Sequence, residues 1–484
     1  QMLRLLSVEV NPPVDAVLAT GVAERLVALL WAPDDNAVGA KVAFEAAWCL
    51  TNAAAAAATA AVAAVEGILP ALVKNLVSGV PERREQAAWA LGNIAGDSAR
   101  LRDVVTTTPD AAANLLLNVQ YPESMRQLVT FTWCLSNLCR NKPPPSLEVA
   151  AGLLPALTYL VTAMEDKEVL SDALWAVTYL SEGSDELVDA VVASGVLPGV
   201  IKALGHAEPS VALPALRCVG NVASGSAVQT QAAVDAGLLP ALVPLLATGR
   251  RNVRREAAWT ASNLAAGTME QQNALLATPG MLDAVLGGAR TADYATRKEC
   301  IWVLCNLAVA GNAQHVCRIM AAGATEPLVE MLEKDDVRML CVVLDAVAAI
   351  LAVEKKFNDE GNPAAAMCRF AEAFEEVSLV VRLEELQEHA SDEVYNKARR
   401  IVDAHYTDGS AADAPAADAE NTSLASAAPP APCFAAPPPA FGAPAAWGAN
   451  RAPSAAAGAK PVAAAAAGGF GAPAAFNFGA VAFA

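Results

Sequence analysis

Apolar residues in this chain recur every three or four positions, and glycine and proline separate the runs that they form. In one such run Leu69, Leu72, Val73 and Leu76 would share a single helix face. No alternating apolar and polar segment of useful length is present. The pattern therefore predicts an all-α chain.

The apolar runs also share a common beginning, in which a glycine is followed by two apolar residues and often a proline. Glycine just past one helix and proline in the first turn of the next are typical helix boundaries. We therefore expect a helix to end and another to begin at each of these glycines. Examples start at Gly67, Gly152, Gly195 and Gly237.

The chain repeats itself with a period of 41 to 44 residues. The most regular position holds tryptophan in six of seven consecutive repeats, and two or three helices fit into each period. Each such unit would bury its apolar faces only by stacking on its neighbours, which predicts an elongated α-solenoid. The anchor positions are Trp48, Trp89, Trp133, Trp175, Arg217, Trp259 and Trp302.

The composition changes at about Thr407, and two regions follow from this. Residues 1–406 are predicted to form the repeat domain, with a partial unit at the start and a polar cap at the end. Residues 407–484 are rich in Ala, Pro and Gly, and we expect a disordered tail. The Phe-Gly dipeptides at Phe441, Phe470 and Phe478 resemble the repeats of nucleoporins, although an unconstrained low-complexity tail is the simpler interpretation.

The charge of the chain restricts its partners. With 33 basic and 51 acidic residues among 484, the net charge is −18, which argues against nucleic acid and favours a cationic partner. The ten cysteines and four histidines show no metal-ligand or disulfide spacing. The uncharged run from Ala46 to Val65 is long enough for a bilayer, but its alanine-rich composition favours a helix pair outside the membrane.

Asparagine follows the anchor tryptophan by four residues in five of the repeats, so both residues share one helix face. We name the anchors and the residues four positions after them the Trp–Asn row. A tryptophan at helical spacing is usually core, but repeated burial of the neighbouring amide would be costly. We therefore expect an exposed ladder in which asparagine binds the main chain of an extended peptide. The indoles would form slots for long side chains, and each repeat would span two to three peptide residues.

Acidic residues beside the row favour Lys and Arg as the side chains that it binds. Glu45, Asp172, Glu256 and Glu299 each precede an anchor by three residues, and Asp97 lies four residues after Asn93. Carboxylates at the edge of a groove attract cations and accept their hydrogen bonds. The alternative is that these are ordinary solvated helix charges.

The row is interrupted in the middle of the chain. Tyr179 takes the place of asparagine and Arg217 that of tryptophan, so a positive charge would occupy one slot. This predicts a longer binding stretch before the interruption and a shorter one after it. A ligand with two basic clusters would fit both stretches.

The segments WALGNIAGD and WCLSNLCRN, the two interruptions and the C-terminal FNFG resemble importin-α, the armadillo adaptor for nuclear localisation signals. The resemblance covers residues 1–406 and implies a right-handed superhelical armadillo solenoid of about nine to ten repeats. It implies a major signal-binding site, in which Asp97 pairs the key lysine, at Trp48, Asn52, Gln86, Trp89, Asn93, Asp97, Trp133, Asn137 and Asp172. It implies a minor site at Asn221, Gly225, Thr230, Glu256, Trp259, Asn263, Glu299, Trp302 and Asn306.

The resemblance also implies partners and a location. The partners are cargo proteins with basic signals and an export factor bound near Glu375, Glu376, Glu384 and Glu385, in a protein that shuttles between cytoplasm and nucleus. The importin-β-binding segment of the family is expected to be absent, since the chain opens inside a repeat. The family's Ser-Gly-Thr turn after Asn52 is replaced by alanines, so only Thr59 could supply a hydroxyl there.

Two other functions remain open from the sequence. A catenin-like armadillo scaffold would bind acidic peptides and would need a basic groove, the opposite of the acidic pattern found here. An enzyme would need a catalytic set, a phosphate-binding loop or clustered metal ligands, and none is recognisable. We therefore expect a binding adaptor without catalytic residues, cofactor or metal, acting on neither nucleic acid nor membrane.

Overall fold

The computed structural model describes residues 14–55 and 59–406. Within these ranges the regular elements are all helices, as the sequence predicts. The described residues divide into two compact units, one ending at Cys218 and the other beginning at Val219. The predicted partial repeat before residue 14 and the predicted tail after residue 406 lie outside the described residues.

The helices follow the predicted period. The first unit contains α1 (Val14–Leu18), α2 (Val22–Leu30), α3 (Ala37–Ala54), α4 (Thr59–Ala63), α5 (Ile68–Asn75), α6 (Pro81–Asp97), α7 (Ala99–Thr107), α8 (Ala111–Gln120), α9 (Met125–Cys139), α10 (Leu147–Ala163), α11 (Lys167–Ser181), α12 (Asp185–Ala193) and α13 (Leu197–Ala203). Helix α14 (Pro209–Ala223) contains the boundary. The second unit continues with α15 (Ala227–Asp235), α16 (Leu238–Thr248), α17 (Arg251–Ala265), α18 (Met269–Ala277), α19 (Met281–Thr291), α20 (Tyr294–Val309), α21 (Ala313–Ala321), α22 (Thr325–Met331), α23 (Val337–Asp359), a 3₁₀ turn (Pro363–Met367), α24 (Phe370–Glu376), α25 (Leu379–Leu386) and α26 (Asp392–His405).

Three of the four glycines named as helix boundaries have the expected conformation. Gly67, Gly195 and Gly237 have φ of 76°, 75° and 97°, a region that residues with a side chain rarely adopt. The expected boundary at Gly152 is wrong, because α10 has already begun at Leu147. The Ser146 hydroxyl caps that helix by accepting the Val149 N–H at 3.3 Å, so Gly152 lies in the helix interior.

Buried or half-buried arginines in both units bind carbonyls that the ends of helices leave without intrahelical partners. Arg254 Nε donates to the carbonyl of Leu246 at 3.1 Å, and Arg297 Nε donates to that of Ala289 at 3.0 Å. Arg83 Nη2 likewise donates to the Leu30 carbonyl at 3.0 Å. Much of the positive charge at the start of α6, α17 and α20 is therefore structural and does not form a basic binding patch.

The length and apolar character of the described helices bear on whether any of them could span a membrane. No single one is long and apolar enough to cross a bilayer, although the bent pair α15 and α16, at 81°, would meet both criteria together. Of the alanine-rich run that begins at Ala46, residues 46–54 lie in α3 and residues 59–63 lie in α4.

Candidate functional site

Each residue of the Trp–Asn row lies on the last helix of its repeat, and these helices pack against one another in sequence. In the first unit α3 packs on α6, α6 on α9 and α9 on α11; in the second unit α17 packs on α20 and α20 on α23. This stacking brings the predicted major-site residues together within the first unit. The predicted minor-site residues from Asn221 to Asn306 come together within the second unit.

Two of the indoles, those of Trp133 and Trp259, need a small residue one repeat earlier. A Cβ added at Gly92 would lie 2.4 Å from Cζ3 of Trp133, and one added at Gly220 would lie 2.4 Å from Cζ3 of Trp259. The rings therefore rest directly on the preceding helix. The position before each Asn or Tyr of the row is small throughout: Thr51, Gly92, Ser136, Thr178, Gly220, Ser262 and Cys305. This periodic signal is present in the sequence, but our sequence analysis did not use it.

The row asparagines are hydrogen-bonded inside the stack, so the prediction of an exposed asparagine ladder is wrong for most of them. Asn93 Nδ2 donates to the Thr51 carbonyl at 3.1 Å, Asn263 Nδ2 to that of Gly220 at 3.4 Å, and Asn306 Nδ2 to that of Ser262 at 3.0 Å. A helical carbonyl oxygen has a second lone pair, which can accept this additional bond. The amide therefore joins consecutive repeats at modest cost. The buried row asparagines are Asn93, Asn137, Asn263 and Asn306.

The first unit keeps its indoles accessible. Trp48, Trp89 and Trp133 are half-buried, and Asp97 is exposed at the last position of α6. An aliphatic stem could lie against these rings with its cationic head near the carboxylate. Of the other predicted major-site residues, Asn52 and Asp172 are half-buried, whereas Gln86 and Asn137 are buried.

Two hydroxyls near Asn52 are used within the protein. Thr51 Oγ1 donates to the backbone carbonyl of Gln86 at 3.3 Å and contacts its side-chain oxygen at 3.4 Å. Thr59, the one hydroxyl expected to replace the family's turn, is buried and donates to the Ala54 carbonyl at 2.8 Å. It is therefore oriented into the protein in this structure.

The second unit differs, because its two indoles are covered. Trp259 is 1% exposed and Trp302 is 2% exposed, so the prediction of open slots is wrong at these two positions. Trp259 lies on Gly220, as described above. The ring of Trp302 carries the guanidinium of Arg338, whose Cζ lies 5.2 Å from the ring centroid.

The carboxylates that precede these indoles are also buried, which excludes their alternative interpretation as solvated helix charges. Glu256 is 1% exposed and Glu299 is 8% exposed. Desolvation, with a smaller contribution from the Glu256 charge, raises the pKa of Glu299 to about 7 against the opposing effect of Lys298, Arg255 and Arg338. The second unit therefore holds concentrated acidic groups close to two covered rings.

Two acceptors in this region have no hydrogen-bond partner among the described residues. These are Oε2 of Glu299 and Oδ1 of Asn263, on the adjacent helices α20 and α17, and each is buried. An acceptor left in this state costs about 1–3 kcal/mol. A ligand that brings N–H donors would remove part of that cost.

The other predicted minor-site residues shape the turn between α14 and α15. Thr230 is buried and its hydroxyl donates to the Ala223 carbonyl at 3.2 Å. Gly225 leaves room for Gln229, whose Oε1 would lie 2.0 Å from an added Cβ and accepts the Ser226 N–H. Asn221 is half-buried.

At the interruption of the row Tyr179 is half-buried and Arg217 is buried. The ring of Tyr179 stacks on that of Trp175 with centroids 5.7 Å apart, and burial raises its pKa to about 12. Arg217 is buried, so the prediction that its charge occupies an open slot is wrong. Its guanidinium lies within the helix packing instead of projecting from the surface.

Acidic side chains are exposed on the last helices, where the resemblance implied an export-factor surface. They are Glu375, Glu376, Glu384 and Glu385, on α24 and α25. Among the residues that the structure describes, no three His, Cys, Asp or Glu side chains are grouped as metal ligands would be.

Three family models match parts of the chain. A HEAT-like repeat matches residues 40–94, an Armadillo/beta-catenin-like repeat matches residues 226–266, and an atypical Arm repeat matches residues 369–420. The crystal structure of an engineered protein superimposes with a TM-score of 0.69 at 25% identity, covering 83% of this chain and 92% of that one. The fold is therefore an armadillo-repeat solenoid.

Curated relatives align with the whole repeat region. The chain is 35% identical over 407 residues to importin subunit alpha-1b of Oryza sativa subsp. japonica, covering 84% of this chain and 75% of that protein. It is 36% identical over 409 residues to importin subunit alpha-3 of Arabidopsis thaliana, with the same coverage. Identity rises to 42% over 196 residues with Arabidopsis importin subunit alpha-6, covering 40% of this chain and 35% of that one. With its repeat architecture and these similarities, the chain belongs to the importin alpha family.

Proposed function

We propose that this protein is a nuclear import adaptor that binds Lys/Arg-rich nuclear localisation signals of cargo proteins in an extended conformation. The major site would consist of the nine residues between Trp48 and Asp172 that the resemblance implies. The minor site would consist of the nine residues between Asn221 and Asn306. The protein would act by binding alone and would shuttle between cytoplasm and nucleus. Its relatives are named as importin subunits, which supports this general role.

The observation that carries the proposal is the excess of buried acceptors beside the row. Glu299 Oε2 and Asn263 Oδ1 have no donor among the described residues, and the neighbouring chemistry is acidic and aromatic. Ammonium and guanidinium groups supply both the missing donors and the opposite charge. A net charge of −18 would also attract cationic segments from a distance.

In the first unit the proposal is supported by the accessibility of the indole rings and of the Asp97 carboxylate. Half-buried indoles on consecutive stacked helices lie beside the exposed Asp97. Because packed helices lie roughly 8–10 Å apart, an extended peptide would advance two to three residues from one ring to the next. Every second or third side chain of a basic peptide would thus meet a ring.

The row asparagines take part in a way that differs from the sequence-based expectation. Since Nδ2 of Asn93 is bound to the Thr51 carbonyl, its amide orientation is fixed within the stack. The remaining Oδ1 would accept a hydrogen bond from the peptide. We therefore assign asparagine the role of a positioned acceptor, with its donor function used for repeat stacking.

The proposal extends to the remaining partners and regions. The exposed carboxylates of α24 and α25 would bind an export factor, and the segment from residue 407 onward would contact nucleoporins. Residues up to 406 would act as the cargo-binding domain.

The test is a titration with a fluorescein-labelled peptide that carries two Lys/Arg clusters, followed by anisotropy. Replacing Asp97 by lysine should weaken binding by about tenfold or more, because a charge-assisted contact becomes a repulsion. Glu66 is an exposed acid in the same unit and away from the row, so Glu66→Lys controls for the identical change in net charge. It should alter binding by less than about threefold.

Trp89→Ala should weaken binding as well, because it removes one wall of a slot. The matched control is Trp31→Ala, since Trp31 is 47% exposed and lies outside the row. Unchanged binding in both Asp97→Lys and Trp89→Ala would remove the major-site assignment. Tighter binding of an acidic peptide than of the basic one would favour a catenin-like scaffold instead.

A further inference from the structure

The last indole of the row is covered by a cation of the protein itself. Trp302 is 2% exposed, whereas the rings of Trp48, Trp89 and Trp133 are half-buried. The guanidinium carbon of Arg338 lies 5.2 Å from the Trp302 ring centroid, within the range of a cation–π contact. Arg338 therefore occupies the place that a ligand cation would take.

The position of Arg338 is not explained by the stability of its own helix. Arg338 is the second residue of α23, where the helix dipole disfavours a positive charge. The helix start is already capped by Asp336, whose side chain accepts the Met339 N–H at 3.2 Å. Its contact with Trp302 reaches into the preceding repeat, because α23 packs on α20, the helix that carries Trp302.

The carboxylates near Trp302 also favour a cation at the position of Arg338. Glu299 lies one turn before Trp302, and Arg338 is one of the cations that favour its charged form, together with Lys298 and Arg255. Glu256 adds a second carboxylate to the same cluster. Arg338 thus lies on an aromatic face and close enough to a carboxylate to affect its pKa, and these are the two elements expected to bind a Lys or Arg of a ligand.

We propose that Arg338 is a resident cation that closes the Trp302 slot and must be displaced before a basic side chain of a bound peptide can enter. The inference rests on the proposed function and adds a specificity-determining residue to it. The repeat of α23 brings no further indole to the row, so Arg338 also sets the end of the basic-peptide track. Peptides would be selected by whether their last basic residue competes with it.

The first experiment compares Arg338→Ala with Arg318→Ala, which removes the same charge from an exposed position on α21. Titrated with the labelled two-cluster peptide, Arg338→Ala should bind about threefold to tenfold more tightly than the wild type. Arg318→Ala should show only the small gain that comes from one additional unit of net negative charge. Equal affinities in the two variants, or weaker binding by Arg338→Ala, would overturn the proposal.

A double-mutant cycle locates the effect at the ring. In a Trp302→Leu background the gain from Arg338→Ala should disappear, and a full gain there would contradict displacement from Trp302. If the leucine variant is poorly folded, Trp302→Phe serves the same purpose with a partial gain. If no variant and no wild-type protein binds the peptide, the proposed function fails; if the wild type binds and Arg338→Ala does not change the affinity, only this inference fails.

A second readout does not depend on the peptide. In protein labelled with 5-fluorotryptophan, the ¹⁹F resonance that is lost in the Trp302 variant should shift in Arg338→Ala, because the ring loses its neighbouring charge. It should stay in place in Arg318→Ala. An unmoved resonance in Arg338→Ala would show that the guanidinium does not lie on the ring in solution and would overturn the proposal.

Discussion

Replacing Gly220 by valine should destabilise the second unit by about 3 kcal/mol, because the new side chain has no space. Its Cβ would lie 2.4 Å from Cζ3 and 2.9 Å from Cε3 of Trp259, and 3.0 Å from the Thr260 hydroxyl. The indole is rigid and 1% exposed, so it cannot move aside without separating two stacked helices. The hydrogen bond from Asn263 to the Gly220 carbonyl should be lost with it.

The matched control is Gly287→Val, the same substitution inside α19. An added Cβ at Gly287 meets nothing within 4 Å, so this variant should remain within about 0.5 kcal/mol of the wild type. Repeat proteins seldom unfold in one step, and hydrogen exchange of α17 and α20 is therefore the appropriate measurement. Equal exchange in the two variants would mean that Trp259 does not rest on Gly220.

Raising the pH from about 4.5 to 7 should lower the free energy of unfolding of the second unit by about 3 kcal/mol through Glu299 alone. Burial raises its pKa from 4.5 to about 7. Below pH 4.5 the carboxyl is protonated in both folded and unfolded states and has no effect. Between 4.5 and 7 the unfolded chain ionises first, so stability falls as pH rises; above 7 the loss remains constant.

Glu299→Gln isolates this contribution, because the amide has nearly the same shape and does not titrate. Its stability relative to the wild type should rise from pH 4.5 to 7 and then stay level, as measured by hydrogen exchange of α20. Asp336 provides a contrast, since its bond to Lys298 lowers its pKa and its contribution is lost only in acid. A constant difference between Glu299→Gln and wild type across this window would show that Glu299 is already ionised in the folded protein.

The raised pKa of Glu299 should also make ligand binding depend on pH. A cationic side chain beside Glu299 would favour the ionised carboxylate, so binding should release a proton and strengthen as pH rises through 7. In Glu299→Gln this part of the pH dependence should be absent from the peptide titration. A wild-type affinity that does not change between pH 6 and 8 would place the bound cation away from Glu299.

The sequence by itself determined the repeat period, the helical character and the residues that form the row. Apolar spacing, glycines such as Gly67 and the regular tryptophans are local signals, and each acts within its own repeat. The family membership followed from the same residues. The burial of the row could not be predicted in this way, because the burial of a side chain depends on which residues the neighbouring repeat packs against it.

Only the tertiary structure decided which atoms of the row are free. Asn93 was predicted to be exposed because a buried amide needs partners, and the partner proved to be the backbone carbonyl of Thr51, one repeat earlier. Trp259 and Trp302 have the same helical position as Trp89, yet both are buried, and Arg338 lies over the ring of Trp302. Sequence spacing specifies the helix face of a side chain, whereas its contacts across about forty residues depend on how the helices stack.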